Sequence, residues 1–378
     1  MEDPIGSPRR RCPDVTPDLN ATIANLIDDL AEIQESKQSQ MGYRRAAHAV
    51  LLLEQTITVL IQPGEDLPSI PNVGPKSLRV VKEVLDLGSS PTVEAAVLAS
   101  GKSVAIEARR RRRVNCLSRA KVLETLADDT LTGPGRADYR GDLQMHSDWS
   151  DGNTTVAAMA DACLARGYRY AAMTDHAHGL PSAHGLSVAD LARQRVEIDR
   201  VNQTLGDRFC LLAGVEANIG PDGSLDLGTP DLRSVDLVVA AAHAGLRLPG
   251  DQTARMIAAV RTPGVHILGH PRGRQRGNRL GIAADWDAVF AAAAESGVAM
   301  EIDGAPARQD LDYGIARRAL DAGCVFALDS DAHSPEELGY ADVAIAHARL
   351  AGIPADRVVN CWPLSRLLAW LGDRLPAR

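Results

Sequence analysis

Aromatic residues are scarce: Phe, Trp and Tyr make up 3% of the 378 residues. The hydrophobic share of 45% must therefore be carried by Ala, Val, Leu and Ile. That share supports a sizeable core and excludes wholesale disorder. Close cysteine pairs are missing as well. Cys12, Cys116, Cys163, Cys210, Cys324 and Cys361 are scattered, so neither a thiolate zinc site nor a disulfide framework is expected, and a reducing compartment fits. No apolar run approaches the ~20 residues of a membrane span, and the N-terminus lacks the apolar core of a signal peptide. A soluble, cytoplasmic protein without a membrane partner is expected. Net positive charge is also absent. At a formal charge of -8 the chain is not built to coat nucleic acid. The exception is local: Arg109 to Arg113 form an unbroken basic run, with Lys102, Arg119 and Lys121 nearby, a candidate for contact with a phosphate backbone.

The length suggests about two domains. Residues 1–17, rich in Pro and Arg, read as a flexible tail. Residues 18–129 read as helical: Leu19, Ile23, Leu26, Ile27, Leu30 and Ile33 recur at spacings of three and four. A second helix is expected from about Tyr43 to Leu60, stopped by Pro63-Gly64. In 67–88 a Pro-Asn-Val-Gly-Pro turn leads into an amphipathic helix bearing Leu78, Val81, Val84 and Leu85. Residues 130–139 read as a linker, and 140–378 as the second domain.

There the texture changes. Apolar runs at 140–146, 168–175, 209–216, 235–243, 265–270, 298–303 and 324–331 alternate with helix-like stretches, which implies a parallel sheet. Seven such units favour a closed or nearly closed α/β barrel; an open doubly wound sheet is the second choice. The runs end in His146, Asp175-His176, Glu216, His243, His270, Glu301-Ile302-Asp303 and Asp329-Ser330-Asp331-Ala332-His333, and Asp151 follows the first. In a parallel barrel these ends share one face. His is scarce at ten, yet His146, His176, His243, His270 and His333 all close separate runs. Imidazole and carboxylate without thiolate suit zinc, manganese or iron, and so many ligands suit two or three divalent ions sharing a bridging carboxylate. His48 and His347, within helices, and His266, at the start of a run, read as structural. His178 and His184 lie in the loop after the second run, within reach of a substrate.

The segments GDLQMHSDWSDG, MTDHAHG, AGVEANI, VAAAH, LGHP, EIDG and LDSDAH, in this order, resemble the motif set of the polymerase and histidinol phosphatase (PHP) domain, over 140–378. The branch attached to bacterial family X DNA polymerases is the most similar, and MGYRRAAHAV with SIPNVGPKSL resembles its small N-terminal helix-hairpin-helix domain. The resemblance implies a distorted (β/α)7 barrel preceded by an all-α hairpin domain. It implies one ion held by His146, Glu216 and Asp331, a second by Glu216, His243 and His270, and a third by Asp151, His176 and His333, with Glu216, Asp331 and His333 in catalytic roles. Gln144 stands where the wider family has a first histidine and is a weak ligand at best. Asp151 in place of His leans toward manganese. Arg272, Arg274, Arg276 and Arg308 are candidates for holding phosphate. Asn72, Gly74 and Lys76 are candidates for DNA contact at the hairpin turn, although Asn72 replaces a usual glycine. The nucleotidyltransferase palm is not between the two parts, so no polymerase activity is expected. The implied function is metal-dependent phosphoester hydrolysis at DNA ends in repair: 3′–5′ exonuclease, 3′-phosphatase or abasic-site endonuclease, alongside separate repair proteins. The alternatives are a small-molecule phosphatase of the histidinol phosphate type and a non-enzymatic DNA-binding scaffold.

Overall fold

The computed structural model describes residues 16–60 and 68–374. The expected tail, up to residue 15, and the Pro63-Gly64 helix stop lie outside the described residues. Six helices come first: α1 (Leu19–Ile33), α2 (Lys37–Leu51), α3 (Pro75–Leu87), α4 (Pro91–Ala99), α5 (Ser103–Arg111) and α6 (Arg119–Ala127). α1 starts because the Asp18 carboxylate accepts from the Ala21 N–H. Its stripe of Ile23, Ile27 and Leu30 packs on Ala46, Val50, Val80, Val84 and Ile106. The second expected helix is displaced. It begins at Lys37, capped by the Ser36 hydroxyl, and ends at Leu51. Residues 52–60 form turns because buried Asn20 holds them: its Oδ1 accepts from Ile57 N at 2.9 Å and its Nδ2 donates to Gln55 O at 3.0 Å. The β-branched run Thr56-Ile57-Thr58-Val59 offers little helix propensity against that clamp.

The remaining elements are α7 (Val156–Ala165), β1 (Tyr170–Met173), α8 (Val188–Leu205), β2 (Cys210–Asn218), α9 (Thr229–Leu232), β3 (Leu237–Ala241), α10 (Thr253–Arg261), β4 (Ile267–Gly269), α11 (Trp286–Ser296), β5 (Ala299–Asp303), α12 (Tyr313–Asp321), β6 (Phe326–Asp329), α13 (Ala341–Leu350) and α14 (Leu364–Arg374). The six strands pair in chain order, all parallel. The first expected strand, 140–146, is reduced to single bridges: Met145 pairs in parallel with Met173 on one side and Ala332 on the other. It thereby closes the curled sheet into a distorted seven-part barrel. Side chains take the place of its ladder partners. Leu143 N donates to Asp329 Oδ1 at 2.8 Å and Met145 N to Thr174 Oγ1 at 3.1 Å.

Strand alternation builds the barrel in layers. Tyr170, Ala172, Leu212, Val239, Ile267, Ala299 and Ala327 meet in one apolar cluster, which α14 covers with Leu367 and Leu371. Continuing each strand by steps of two leads from this layer to His176, Glu216, His243, Glu301, Asp303, Asp329 and Asp331. The same strand faces thus turn from core to site. His270 has the wrong parity, and its positive φ of 24° breaks the alternation.

The helical region is seated on the barrel. α6 packs against α13 through Leu117, Val122, Val343 and Leu350. Gln309 clamps the chain between α5 and α6, accepting from Leu117 N at 2.7 Å and donating to Leu117 O at 3.2 Å. The expected linker is pinned as well: Arg136 forms a two-point pair with Asp342 at 2.8 Å for both contacts. No helix among the described residues is long and apolar enough to cross a membrane.

Candidate metal centre

Glu216 is fully buried at the end of β2, and four histidines from four segments face it. His270 Nε2 lies 2.9 Å and His243 Nε2 3.3 Å from Oε1. His176 Nδ1 lies 2.9 Å and His146 Nε2 3.6 Å from Oε2. Asp331 reaches His146 Nε2 at 3.0 Å. On the outer side, Asp151 lies 3.5 Å from His176 Nε2 and 3.3 Å from His333 Nε2. Three sets of ligand atoms each converge within 4.8 Å: His146, Asp151, His176 and His333; His176, Glu216 and His243; His146, Glu216 and Asp331. His270 stands beside the second set, against the same Glu216 oxygen as His243.

These atoms fit divalent ions better than they fit one another. His146 Nδ1, His176 Nδ1, Glu216 Oε2 and His243 Nε2 are buried with no hydrogen-bond partner, although two of them lie within 2.9 Å of each other. Acceptors converging without a donor between them are what a cation resolves, since buried polar groups are normally paired. Outer contacts fix the ring orientations. His243 Nδ1 faces Asn218 Oδ1 at 2.6 Å and His333 Nδ1 faces the Asp331 carbonyl at 2.8 Å. Nδ1 is then the donor in both rings, which leaves the Nε2 lone pairs directed at Glu216 and Asp151. Asp175 organises the loop that carries His146 and Asp151: it accepts from Ser147 N at 2.8 Å, Ser147 Oγ at 2.7 Å and Ser150 Oγ. A Cβ on Gly152 would come within 2.7 Å of the His146 backbone, so that loop requires glycine. His270 and Asp331 both adopt positive φ, 24° and 53°, an arrangement that side-chain residues hold only where the surroundings impose it.

The electrostatics show the same demand for positive charge, met by protons on the imidazoles in the metal-free chain. Burial alone would raise the Glu216 carboxyl, but the facing imidazoles outweigh it and hold it well below the usual range. Burial disfavours a charged His176, yet Glu216 and Asp151 push it up to about 11, and Asp151 and Asp331 bring His333 to about 9 against the same penalty. Beneath the rim lies a second layer of carboxyls. Burial, reinforced by mutual repulsion, raises Glu301, Asp303 and Asp329 well above the ordinary value, and burial lifts Asp142 to about 6. Protons retained by these acids meet most of the layer's demand for positive charge, and Asp142 Oδ2, Glu301 Oε1 and Asp329 Oδ2 make no hydrogen bond. Arg308 supplies part of that charge, its Nε 3.2 Å from Asp331 and 3.3 Å from Asp303. Gln144 is fully buried with both amide atoms unpartnered.

The other candidate residues stand elsewhere. Arg272 pairs with Asp310 and Asp312, each at 2.8 Å. Arg274 binds the carbonyls of Arg308, Gln309 and Val114. Arg276 reaches Asn25 at 2.7 Å and Asp28 at 3.4 Å, across to α1. Arg274, through Val114, and Arg276, through Asn25 and Asp28, thus seat the helical region, while Arg272 is held by two acids of the barrel. Three members of the basic run are likewise turned inward: Arg109 meets Glu32 at 2.9 Å, Arg110 meets Asp29 at 2.7 Å and Glu94 at 2.6 Å, and buried Arg113 meets Asp29. Asn72, Gly74 and Lys76 are exposed at a turn closed by Val73 N to Ile70 O at 3.0 Å. Asn72 has φ 68°, the left-handed geometry that Asn tolerates. Gly74 begins α3 with no side-chain cap. Asn218 and Asp142 were not singled out from the sequence as functional, and Asp175, Glu301, Asp303 and Asp329 stood among the run ends without an assigned role. Their signal was position: each lies within or next to a segment that carries a ligand candidate.

No model of a known protein family matches the chain. Individual relatives do. The chain is 36% identical over 233 residues to the DNA polymerase/3′-5′ exonuclease PolX of Bacillus subtilis, covering 61% of this chain and 41% of that protein; it spans about two-fifths of that relative's length. It is 31% identical over 248 residues to the probable phosphatase YcdX of Escherichia fergusonii, covering 62% of this chain and 95% of that protein. A crystal structure of histidinol phosphate phosphatase from Lactococcus lactis, complexed with zinc, L-histidinol and phosphate, aligns at 16% identity and a TM-score of 0.41, over 55% of this chain and 92% of that one. Fold, clustered ligands and relatives together define a metal-dependent phosphoester hydrolase. The chain belongs to the polymerase and histidinol phosphatase (PHP) family.

Proposed function

We propose that the chain is a phosphoesterase acting on DNA ends, with two or three divalent ions, manganese or zinc foremost and iron third. His146, Glu216 and Asp331 hold one ion; Glu216, His243 and His270 a second; Asp151, His176 and His333 a third. The observation that carries the reading is the buried Glu216 carboxylate, faced by imidazole nitrogens from four segments without a hydrogen bond to its Oε2. When bound, such ions polarise a phosphoryl oxygen and lower the pKa of water. The chain's own groups do the rest. Glu216 is the shared ligand, Asn218 and the Asp331 carbonyl hold His243 and His333 in one tautomer, and Arg308 keeps Asp331 ionised and would add a charge-assisted contact to a phosphate oxygen.

DNA as the substrate is supported by the relative named a DNA polymerase/3′-5′ exonuclease and by the helical region ahead of the barrel. In this reading the region is a helix-hairpin-helix domain of residues 18–129, joined at 130–139 to a hydrolase domain of 140–378. The exposed turn of Asn72, Gly74 and Lys76 offers backbone N–H groups to DNA phosphate. A second reading, a small-molecule phosphatase, is favoured by the relative named a probable phosphatase, which the chain covers almost entirely. The test is to incubate manganese-loaded protein with labelled DNA bearing 3′-hydroxyl or 3′-phosphate ends and, in parallel, with histidinol phosphate. An Asp331→Ala/His333→Ala double variant is the blank. DNA processing that disappears in the blank is expected. Turnover of histidinol phosphate with intact DNA would replace the first reading by the second.

A further inference from the structure

Six arginines crown three successive loops on the rim: Arg247 after β3, Arg272, Arg274, Arg276 and Arg279 after β4, and Arg308 after β5. Four of them, Arg308 included, are accounted for by acids and carbonyls, as described above. Arg247 and Arg279 differ: among the described residues neither has a carboxylate within 4.0 Å. Arg247 donates to Asn278 Oδ1 at 2.6 Å, and Arg279 to Gly273 O at 2.7 Å and Gln275 Oε1 at 3.3 Å. These neutral contacts hold the side chains in place and leave their charge uncompensated. The two loops touch, since Leu246 packs where a Cβ on Gly273 would sit. Burial, then the charge of Arg308, then that of Arg247, depress the pKa of Arg279, with Asp310 opposing them more weakly. Arg279 lies on the same turn as Asn278, which Arg247 reaches, and that turn meets the Arg308 segment where Arg274 Nε donates to Arg308 O at 3.0 Å, so Arg279 is the middle member of a row that begins at Asp331. Arg308 already meets Asp331 and Asp303, but the two outer cations have no ion-pair partner of their own among the described residues, and like charges placed side by side favour entry of an anion. Beside the row, Leu248 and Leu280 are 59% and 53% exposed, apolar surfaces next to the cations.

The geometry points to a track for consecutive phosphates of a single nucleic-acid strand: the reacting phosphate at Arg308, its neighbours at Arg279 and Arg247, and the bases against Leu248 and Leu280. A monophosphate would engage Arg308 alone, so the track selects polynucleotide over small phosphate esters. This inference rests on the DNA-end reading and adds where the strand lies.

The test compares kcat/KM for single-stranded dinucleotide, tetranucleotide and octanucleotide substrates in the manganese-loaded full chain, with Arg247→Ala and Arg247→Ala/Arg279→Ala. Arg247 is exposed, so its single variant guards against misfolding of the hairpin that Arg279 braces. The wild type is expected to gain about tenfold or more from dinucleotide to octanucleotide, on the scale of one or two charge-assisted contacts. The double variant is expected to lose most of that gain. The slope of log KM against log salt is expected to fall by about 0.7 for each arginine removed. An unchanged length dependence and salt slope in both variants overturns the track and leaves the DNA reading standing. A wild type that cuts no oligonucleotide yet hydrolyses histidinol phosphate overturns the DNA reading, and the track with it.

Discussion

In the helical region the buried guanidinium of Arg113 lies against Asp29, which also receives Arg110, while Arg109 answers Glu32. Around Glu216, buried imidazoles and carboxylates face one another with several of their atoms unpartnered, and a layer of further carboxyls lies beneath. Both places bury charge, with opposite outcomes. In the first set each charged group meets an opposite charge within the chain, although Arg109 Nε and Arg113 Nε make no hydrogen bond, so it is structure. The second is complete only with cations, so it is a site. The contrast shows how to read a cluster of charged residues in an unfamiliar chain: the sign and number of the charges say less than whether their partners are already present.

The sharpest way to break the comparison is to remove the shared ligand. Glu216→Gln keeps the shape and removes the charge. Loss of several kcal/mol of metal-derived transition-state stabilisation corresponds to roughly a 10⁴-fold fall in kcat. The metal content read by elemental analysis is expected to fall as well, and so is the rise in melting temperature that added manganese gives the wild type. Full activity with normal metal content would remove Glu216 from the centre. In the helical region the corresponding cut reads out on stability. Arg113→Ala leaves buried Asp29 with Arg110 as its remaining partner and is expected to cost about 1–3 kcal/mol in urea denaturation. Arg111→Ala, in the same run but exposed and 3.8 Å from Glu107, is expected to stay within about 0.5 kcal/mol. Equal losses would mean the run is a uniform surface, as its sequence alone suggests.

Those two arginines also mark where the sequence was legible and where it was not. The strand rhythm was readable because alternation and strand-end chemistry are local: His146, His176, His243, His270 and His333 each close an apolar run, and all five lie in the cluster around Glu216. The partner of an arginine is not local. Nothing near Arg276 in the chain announces Asn25 and Asp28, and nothing near Arg113 announces Asp29, so a loop rich in arginine read as a phosphate grip and a basic run as a DNA contact. The same limit explains residues 52–60, whose helical reading gave way to a clamp from Asn20, and 140–146, whose strand ladder gave way to side-chain acceptors from Asp329 and Thr174. Asn218 escaped notice because orienting a ligand needs only one acceptor at the right place, and that leaves no pattern.

The smallest expected effect sets apart two histidines outside the centre. His266 Nδ1 accepts from Val238 N at 3.1 Å and its Nε2 faces the Leu371 carbonyl at 3.1 Å. His347 Nδ1 accepts from Tyr313 N at 3.1 Å and its Nε2 faces Gln309 Oε1 at 2.9 Å. In each ring one nitrogen donates and the other accepts, so the neutral form is the one that fits, and protonation would break the accepted bond. Burial lowers His266 to about 4 and His347 to about 3, against an unfolded value of about 6.5. The unfolded chain therefore binds more protons than the folded one below that value, and stability falls as pH falls. Each group is expected to remove a little over 1 kcal/mol, about 2–3 kcal/mol together, between pH 7 and 5.5. His176 and His333, whose folded values lie near 11 and 9, contribute with the opposite sign: their stabilisation is present below 6.5 and is lost as pH rises through those values in metal-free protein. A His347→Gln variant, in which an amide can accept from Tyr313 N and still donate to Gln309, isolates the effect. Its loss of stability from pH 7 to 5.5, measured by urea denaturation in metal-free buffer, is expected to be about 1 kcal/mol smaller than that of the wild type. An identical pH slope in the two proteins would mean that His347 is protonated in the folded state after all, and that the seat of the helical region, which Gln309 ties to it, carries charge like the rim rather than neutrality like a core.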